Sequence, residues 1–362
     1  MTEPMRLVIL GLSITSSWGN GHATTYRALV KQLTARGHDV LFLERDVPWY
    51  AENRDLPRPP YGRTELYQDR AELEHRFAGD VREADLVIVG SFVPEGIAVG
   101  SWVVRTAVGV TAFYDIDTPV TLARLARGDN DYLSAELIPR YHLYLSFTGG
   151  PTLERLEREY GSPAARALYC SVDPELYQPL AVAPRWDLGY MGTYSADRQT
   201  ALERLLLEPA AHAAALRFLV AGPQYPPEVC WPANVTRLSH EEPAAHAPLY
   251  CAQRFTLNLT RAEMVAAGYS PSVRLFEAAA CGTPIVSDYW EGLETLLVPG
   301  REILVARSGS EVMSWLRDMS ESERLALGEQ ARRRVLDEHT SAHRARQLEG
   351  YVAELLAREP AA

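Results

Sequence analysis

Two short apolar runs with a helical pattern between them open the chain and restrict its fold more than any other feature. The runs cover residues 6–12 and 40–43. Residues between them recur at the i, i+3, i+4, i+7 spacing of one helix face: Tyr26, Leu29, Val30 and Leu33. Gly37 is a typical helix end. Because such crossovers are right-handed and join parallel strands, the pattern predicts the start of a doubly wound α/β fold.

The same alternation continues along the chain. Three apolar runs in the first half are too continuous for strands with one exposed face, which favours buried parallel strands: residues 86–89, 103–113 and 143–147. Four runs in the second half repeat the pattern: residues 188–191, 216–221, 255–259 and 284–287. The second half is therefore predicted to have the architecture of the first.

A domain boundary is indicated by residues 171–185, which contain three prolines and no clear period. A chain of 362 residues is long enough to bury two cores. We therefore predict Rossmann-like domains over residues 1–175 and 176–340. Residues 341–362 are predicted to form a helix that begins at a Ser341 cap and bridges back to the first domain. Its apolar stripe consists of Ala345, Leu348, Val352 and Leu355.

Composition and charge exclude several classes of protein. A hydrophobic content of 47% is far from the signature of disorder. The net charge of -11 and the pI near 5.4 argue against nucleic-acid or anionic-membrane partners, which are bound through clustered Lys and Arg. No stretch reaches the roughly 20 apolar residues of a membrane span. We expect a cytoplasmic protein without a membrane span.

The four cysteines have neither the spacing of a zinc site nor that of a disulfide framework. They are Cys170, Cys230, Cys251 and Cys281. We therefore expect buried, reduced thiols and no resident metal.

Phosphate chemistry is indicated by a helical pattern within residues 270–288. Ser270 is the predicted cap, Pro271 the first helical residue and Gly282 the end. The amino end of a helix presents unpaired N–H groups and a positive partial charge, which suit a diphosphate. Ser270 and Ser272 are therefore predicted to bind a phosphorylated ligand.

Glu277 lies farther inside the same helix. A carboxylate cannot favour phosphate, but it accepts hydrogen bonds from paired hydroxyl groups. Glu277 is therefore predicted to bind a ribose or sugar diol, and a nucleotide sugar offers both groups.

A resemblance to a known family covers both halves. Together with residues 270–288, five segments resemble GT-B glycosyltransferases and in particular the CgeB family: Asn258–Arg261, Met264, Gly268–Pro271, Tyr114–Pro119 and Ser146–Gly150. The resemblance implies two Rossmann-like domains that face each other across a cleft. It also implies a nucleotide-sugar donor in the second domain, an acceptor largely in the first, and no required metal or cofactor.

One position departs from the pattern of this family. Many retaining members carry a further Glu eight positions before the residue that matches Glu277, and Tyr269 stands there in this chain. Retaining and inverting outcomes therefore both stay open.

Arginines are the predicted partners of the diphosphate. Gly192–Arg198 resembles the turn where GT-B enzymes present a basic residue to the donor, which implies this role for Arg198. Arg261 and Arg274 are further candidates, because each charge-assisted hydrogen bond contributes about 1.5 to 3 kcal/mol. The alternative is that these arginines lie on solvated helix faces.

A Gly-rich loop follows the first strand. Gly19 and Gly21 are predicted to let the backbone approach the donor, although the loop lacks the GxGxxG pattern of a dinucleotide fold. The Gly-His pair at the helix start is similar to the opening of inverting GT-B enzymes, which implies that His22 is the catalytic base. Histidine is well suited to proton transfer at neutral pH. A hydrogen bond that merely stabilises the loop is the alternative role.

Two carboxylates follow the run that ends near residue 114. Asp115 and Asp117 would emerge at the carboxyl end of a strand, where α/β sheets bind ligands. They are predicted to orient His22 or to recognise the acceptor, and Tyr114 is predicted to contact the acceptor. The two aspartates also spell the DxD metal motif of GT-A enzymes, but two strand–helix halves disfavour that reading. A solvated turn is the remaining alternative.

These patterns together predict transfer of a sugar from a nucleoside-diphosphate donor to an acceptor hydroxyl on a small molecule or glycan. Two alternatives keep the same fold. One is a nucleotide-sugar epimerase or hydrolase, and the other is a catalytically silent protein that binds sugar nucleotides.

Overall fold

The computed structural model describes residues 3–239 and 241–358, which divide into two α/β units. The first unit comprises residues 3–170 together with 341–358, and the second comprises residues 171–340 apart from position 240. None of the helices in these ranges is long and apolar enough to cross a bilayer.

The first unit is built on a seven-stranded parallel sheet. Its strands are β1 (Arg6–Gly11), β2 (Asp39–Arg45), β3 (Arg63–Tyr67), β4 (Leu86–Gly90), β5 (Val110–Asp115), β6 (Leu143–Ser146) and β7 (Ala165–Ala167). They lie in the order β3-β2-β1-β4-β5-β6-β7, and every pair is parallel. The order reverses between β1 and β4, and ligands bind beside such a switch point in open α/β sheets.

Six helices of this unit connect the strands. They are α1 (His22–Ala35), α2 (Pro48–Ala51), α3 (Arg70–Glu83), α4 (Gly96–Thr106), α5 (Thr118–Arg127) and α6 (Pro151–Arg158). The predicted apolar face of α1 is buried, and the helix ends before Gly37, whose φ of 94° is the left-handed conformation that favours glycine. The strand–helix–strand opening is thus confirmed.

The second unit repeats this plan with six parallel strands. They are β8 (Trp186–Met191), β9 (Phe218–Ala221), β10 (Val235–Leu238), β11 (Gln253–Asn258), β12 (Ile285–Ser287) and β13 (Leu304–Val305). Their order is β10-β9-β8-β11-β12-β13, so the switch point lies between β8 and β11. Two parallel-sheet α/β domains were predicted, and the structure confirms them.

Seven helices accompany this second sheet. They are α7 (Ala196–Leu202), α8 (Glu208–Ala211), α9 (Pro243–Cys251), α10 (Ala262–Ala267), α11 (Val273–Ala280), α12 (Gly309–Asp318) and α13 (Glu321–Glu338). A π-helical turn over Glu203–Leu207 joins α7 to α8. Capping boxes at Ser308 and Ser320 begin α12 and α13.

The last helix, α14 (Ser341–Arg358), belongs to the first unit, where it contacts α1. The carboxylate of Glu349 accepts hydrogen bonds from Arg36 Nε at 2.5 Å and Arg36 Nη2 at 2.6 Å, and it lies 2.8 Å from His38 Nε2. Ser341 is the first helical residue and not the predicted cap. Residues 359–362 of the predicted helix lie outside the described residues.

Two other predicted element bounds are wrong. The apolar run over residues 103–113 is not one strand, because α4 extends to Thr106 and β5 begins only at Val110. The helix predicted from Ser270 begins at Val273, because Ser272 keeps an extended backbone with ψ near 150°. The first error arose because a short apolar run does not distinguish a buried helix face from a buried strand.

Candidate active site

The loop that follows β1 is held in one conformation by a buried carboxylate. Glu44, near the end of β2, accepts hydrogen bonds from the N–H groups of Ile14 and Thr15 at 2.7 and 3.0 Å. It also accepts from the hydroxyl groups of Ser13 and Thr15 at 3.1 and 2.6 Å. Four such contacts satisfy the buried charge, and they preorganise the loop that leads to α1.

The glycines of this loop have open space in front of them. A Cβ atom added at Gly19 or Gly21 would meet no atom within 4 Å. Gly19 has a φ of 66°, which favours glycine, whereas Gly21 is the N-cap residue of α1 with a φ of -87°. Asn20 between them accepts a hydrogen bond from Ala23 N at 3.1 Å, so its amide oxygen caps the helix. Contact of these glycines with a ligand stays a prediction.

His22 is the first residue of α1 and is 6% exposed. Its Nε2 atom lies 3.6 Å from the carboxylate of Asp117, and its ring meets Phe92 edge-on at 5.5 Å between centroids. The other nitrogen, Nδ1, is buried without a hydrogen-bond partner. We name His22, Phe92, Asp115 and Asp117 the imidazole site.

The two aspartates of the imidazole site have different environments. Asp115 is fully buried, and its carboxylate accepts hydrogen bonds from Tyr144 OH and from Thr121 Oγ1. Burial raises the pKa of Asp115 to about 6, against these hydrogen bonds, which lower it. The side chain of Asp117 is 30% exposed and approaches His22. Of the two carboxylates left open by the sequence, Asp117 is therefore the partner of His22.

Tyr114 was predicted to contact the acceptor, and the structure places it in the core instead. It lies on β5, is 1% exposed, and packs against Tyr26 and Phe147. Its hydroxyl donates to the carbonyl of Leu168 at 3.4 Å. Side chains on a strand alternate between faces, so Tyr114 and Asp115 point to opposite faces of the sheet.

In the second unit, the ends of β8 and β11 are joined by Arg274. Its Nε donates to Met191 O at 2.5 Å and its Nη1 to Asn258 Oδ1 at 2.9 Å. The guanidinium lies over the Tyr190 ring at 4.9 Å. Ser272 donates to the same Asn258 oxygen at 2.7 Å. The structure thus uses Arg274 and Ser272 mainly to hold the start of α11 against the sheet.

Arg198 and Arg261 each keep a guanidinium N–H group that makes no hydrogen bond within the protein. Arg198, on α7, donates from Nη2 to Thr193 O at 2.7 Å, and Arg261 is the N-cap residue of α10. The Nε atom of each is buried without a hydrogen-bond partner. Ala262 N donates to Asp197 at 2.7 Å, which joins the segments that carry the two arginines. We name Arg198, Arg261 and Arg274 the guanidinium site.

Aromatic residues that the sequence did not single out lie next to this site. Arg237 stacks on Tyr225 and Trp231, with 4.3 Å to each ring centroid. Burial raises the pKa of Tyr225, and the charges of Arg237, Arg198 and Arg274 oppose this rise. Three guanidinium groups therefore lie within electrostatic reach of one hydroxyl. Arg237 stands on the edge strand β10, whose weak apolar pattern gave no signal.

Glycines bring the backbone close together at the same strand ends. A Cβ atom at Gly222, which has a φ of 152°, would lie 2.0 Å from Gly192 O. A Cβ atom at Gly192 would lie 2.6 Å from Tyr190 OH and 2.8 Å from Arg274 Nη2. No larger residue fits either position without a shift of the backbone or of these side chains.

Glu277 lies on α11 and is 4% exposed. It accepts a hydrogen bond from Tyr250 OH at 3.1 Å. Burial raises the pKa of Tyr177, and a hydrogen bond to Glu277 adds to this rise. Ser270, before the helix, is 1% exposed. Contact of Glu277 or Ser270 with a sugar nucleotide stays a prediction.

Tyr269 stands at the position that departs from the family pattern. Its backbone has a φ of 48°, its N–H donates to Glu291 O at 2.6 Å, and its ring covers Gly292. The neighbouring Asp288 accepts from Thr260 N at 2.9 Å and from Thr260 Oγ1 at 2.8 Å. Tyr269 thus holds the loop after β12 in place by packing and a backbone hydrogen bond.

Among the residues that the structure describes, no group of three His, Cys, Asp or Glu is arranged to hold a metal.

Comparison with known proteins shows which fold the chain has. Residues 198–350 match a family model described as "Glycosyl transferase-like". No curated protein sequence matches the chain. Over 97% of its length the chain is similar to solved structures of sucrose-phosphate synthase from Thermosynechococcus elongatus and of Anabaena HepE in complex with UDP and glucose. The TM-scores are 0.68 and 0.72, the identities 16% and 13%, and the shares of those chains covered 99% and 100%.

A third similar structure is "alpha-glucosyltransferase in complex with UDP and a 13-mer DNA containing a HMU base". Its TM-score is 0.70, its identity to this chain is 12%, and the similarity covers 97% of this chain and 100% of that one. These likenesses establish the GT-B fold for this chain.

Proposed function

We propose that this chain is a glycosyltransferase that moves a sugar from a UDP-sugar donor to an acceptor hydroxyl without a required metal. The observation that carries the proposal is the pair of buried, unpartnered Nε atoms of Arg198 and Arg261, which follow β8 and β11 at the switch point. A buried donor without a partner costs about 1 to 3 kcal/mol. A bound pyrophosphate would satisfy both arginines and remove this cost.

The guanidinium site would stabilise the leaving diphosphate. Charge develops on the phosphate oxygens as the bond to the sugar breaks, and fixed guanidinium groups stabilise that charge without reorganising. The guanidinium of Arg274 donates to Met191 O and Asn258 Oδ1, and these hydrogen bonds fix the position of its positive charge. The amino end of α11 adds a smaller contribution of about 0.3 to 1 kcal/mol.

We propose that Glu277 binds the ribose and that the nucleobase of the donor is uracil. Glu277 already accepts a hydrogen bond from Tyr250, so its carboxylate is oriented and a diol can occupy its remaining lone pairs. UDP as the nucleotide is supported by the similar solved structures whose ligands include it. The resemblance of residues 270–288 to CgeB proteins supports placing the chain near that family.

His22 is the proposed catalytic base. Its imidazole would take the proton from the acceptor hydroxyl, whose oxygen attacks the anomeric carbon, and the bond from that carbon to the phosphate oxygen breaks. Asp117, 3.6 Å away, would stabilise the imidazolium that forms. The net charge of -11 favours a small molecule or glycan over nucleic acid as the acceptor. All four cysteines stand outside disulfides, which supports a cytoplasmic site of action.

Binding and product analysis test this function. Calorimetric titration with UDP, GDP and dTDP is expected to show selective binding of UDP, with EDTA present. UDP-sugars are then incubated with and without an acceptor panel, and products are identified by mass spectrometry and NMR. Acceptor-dependent UDP release supports transfer. A changed sugar nucleotide from the donor alone indicates an epimerase or hydrolase, and binding without turnover indicates a silent binding protein.

A further inference from the structure

Two cysteines of the second unit lie in contact. Cys251 is the last residue of α9, and Cys281 directly follows α11. The Cys251 thiol donates to the carbonyl oxygen of Cys281 at 3.9 Å and to that of Gln178 at 3.7 Å, and it lies within hydrogen-bonding reach of the Cys281 thiol. Sequence analysis predicted buried thiols, and this holds for Cys170 and Cys281 but not for Cys251, which is half-buried, or for Cys230, which is exposed.

Two hydrogen-bond donors beside Cys251 favour its thiolate. Leu180 N donates to its sulfur at 3.4 Å. The hydrogen bond from Cys281 and that from the Leu180 N–H together lower the pKa of Cys251 to about 7. The same hydrogen bond and burial raise the pKa of Cys281, so that thiol keeps its proton. A partly exposed thiolate beside a protonated thiol is the arrangement of an attacking and a resolving cysteine.

The two cysteines bracket five of the proposed donor-binding residues. The segment between them contains Arg261, Ser270, Ser272, Arg274 and Glu277. Tyr250, next to Cys251, donates to Glu277, and Thr283 Oγ1 donates to the carbonyl of Tyr250 at 2.9 Å. A change in the distance between the ends of α9 and α11 therefore acts directly on Glu277.

We propose that Cys251 and Cys281 form a reversible disulfide with hydrogen peroxide as the oxidant, and that this bond weakens binding of the nucleotide donor. The second half of the proposal rests on the proposed function. The Cys251 thiolate attacks one peroxide oxygen, an S–O bond forms to give a sulfenic acid as the O–O bond breaks, and the hydroxide that leaves takes a proton from solvent to become water. The Cys281 sulfur then attacks the sulfenic sulfur, and the hydroxyl leaves with the Cys281 proton as a second water. Two electrons pass from the two thiols to peroxide.

The weakening has a geometric cause. A disulfide holds its sulfur atoms about 2.05 Å apart, roughly an ångström or more closer than a hydrogen-bonded pair of thiols. Bond formation therefore draws the end of α9 toward the end of α11. Tyr250 and Glu277 follow, and the carboxylate loses its present orientation.

The test uses the full chain with Cys230→Ser as the background, so that the exposed thiol cannot react. After peroxide treatment and alkylation, non-reducing peptide mapping is expected to find one peptide that links Cys251 to Cys281. UDP affinity is expected to fall about 10-fold and to return with dithiothreitol. Cys251→Ser in the same background is the matched control, and its UDP affinity is expected to resist peroxide.

The outcomes separate this proposal from the proposed function. Peroxide treatment that leaves both thiols reduced, or that oxidises Cys251 to sulfinic acid while Cys281 stays a thiol, overturns the disulfide. A linked peptide with unchanged UDP affinity overturns the effect on the donor. Peptide mapping needs no nucleotide, so a reduced protein that fails to bind UDP contradicts the proposed function and leaves the disulfide to be judged by its own result.

Discussion

In the first unit, the strands on either side of the switch point, β1 and β4, end beside a histidine and two carboxylates; in the second, β8 and β11 end beside three arginines. The two sheets share the order that reverses around their first strand. The apolar pattern that sets this order is common to both units. The difference in chemistry lies in the residues at and beyond the carboxyl ends of the strands.

The two sites also differ in which groups the protein leaves without a partner. In the imidazole site, the Asp115 carboxylate accepts hydrogen bonds from Tyr144 and Thr121, and the atom without a partner is the buried Nδ1 of His22. In the guanidinium site, Nε atoms of Arg198 and Arg261 are buried and unpartnered. Since buried polar groups are normally paired, the second site has the character of an anion site. The first has the character of a preorganised proton acceptor.

The largest effect is expected from a substitution that removes only the imidazole of the imidazole site. His22→Ala is expected to lower kcat about 1,000-fold, within the range of general-base catalysis, and to leave the Kd for UDP unchanged. The measurement is steady-state transfer with UDP titrations of both proteins. His75→Gln, an exposed histidine on α3, is the control. Equal losses of kcat and UDP affinity would show that His22 belongs to the donor site instead.

Arg198→Gln tests the second site. It is expected to weaken UDP binding about 10- to 100-fold, the loss of one charge-assisted hydrogen bond. Calorimetric titration measures the change. Arg217→Gln is the matched control, because Arg217 is exposed at the amino end of β9, away from the strand ends that carry the site. Unchanged affinity in Arg198→Gln would remove the main support for a pyrophosphate there.

The elements that sequence analysis missed have one property in common. Strands β3, β7, β10 and β13 are the four sheet edges. An edge strand has one paired neighbour and is partly exposed, so it carries no continuous apolar run. Each central strand, buried on both faces, was located by an apolar run, although the run over residues 103–113 also included the end of α4. The fold could therefore be inferred from its interior.

The site was predictable only in part, for a similar reason. His22 and Arg198 were proposed because the segments that follow β1 and β8 resemble GT-B enzymes. The choice between Asp115 and Asp117 needed the structure, because only the fold shows that Asp115 is buried and that the partly exposed Asp117 approaches His22. Arg237 belongs to an edge strand and reaches its aromatic partners only through the fold.

Asp115→Asn sharpens the contrast between a satisfied and an exposed carboxylate. Burial raises the pKa of Asp115 from 3.8 to about 6, so the folded state holds this proton more tightly than the unfolded state. The contribution of this group to the free energy of unfolding is therefore lost as the pH rises from about 3.8 through about 6. Wild type is expected to lose about 2 kcal/mol relative to Asp115→Asn between about pH 4.5 and pH 7. Calorimetric unfolding across this range measures the difference, and a constant offset would contradict it.

Asp117→Asn is the smallest expected effect and decides whether the imidazole site works as a pair. The variant keeps the size of the side chain and removes its charge, 3.6 Å from His22 Nε2. That separation is longer than a hydrogen bond and the carboxylate is partly exposed, so solvent screens the interaction. We expect kcat to fall about 10-fold, about 1.4 kcal/mol, with UDP affinity unchanged. The same loss in a His22→Ala background would show that Asp117 acts independently, whereas no further loss there would place both residues in one proton-transfer unit.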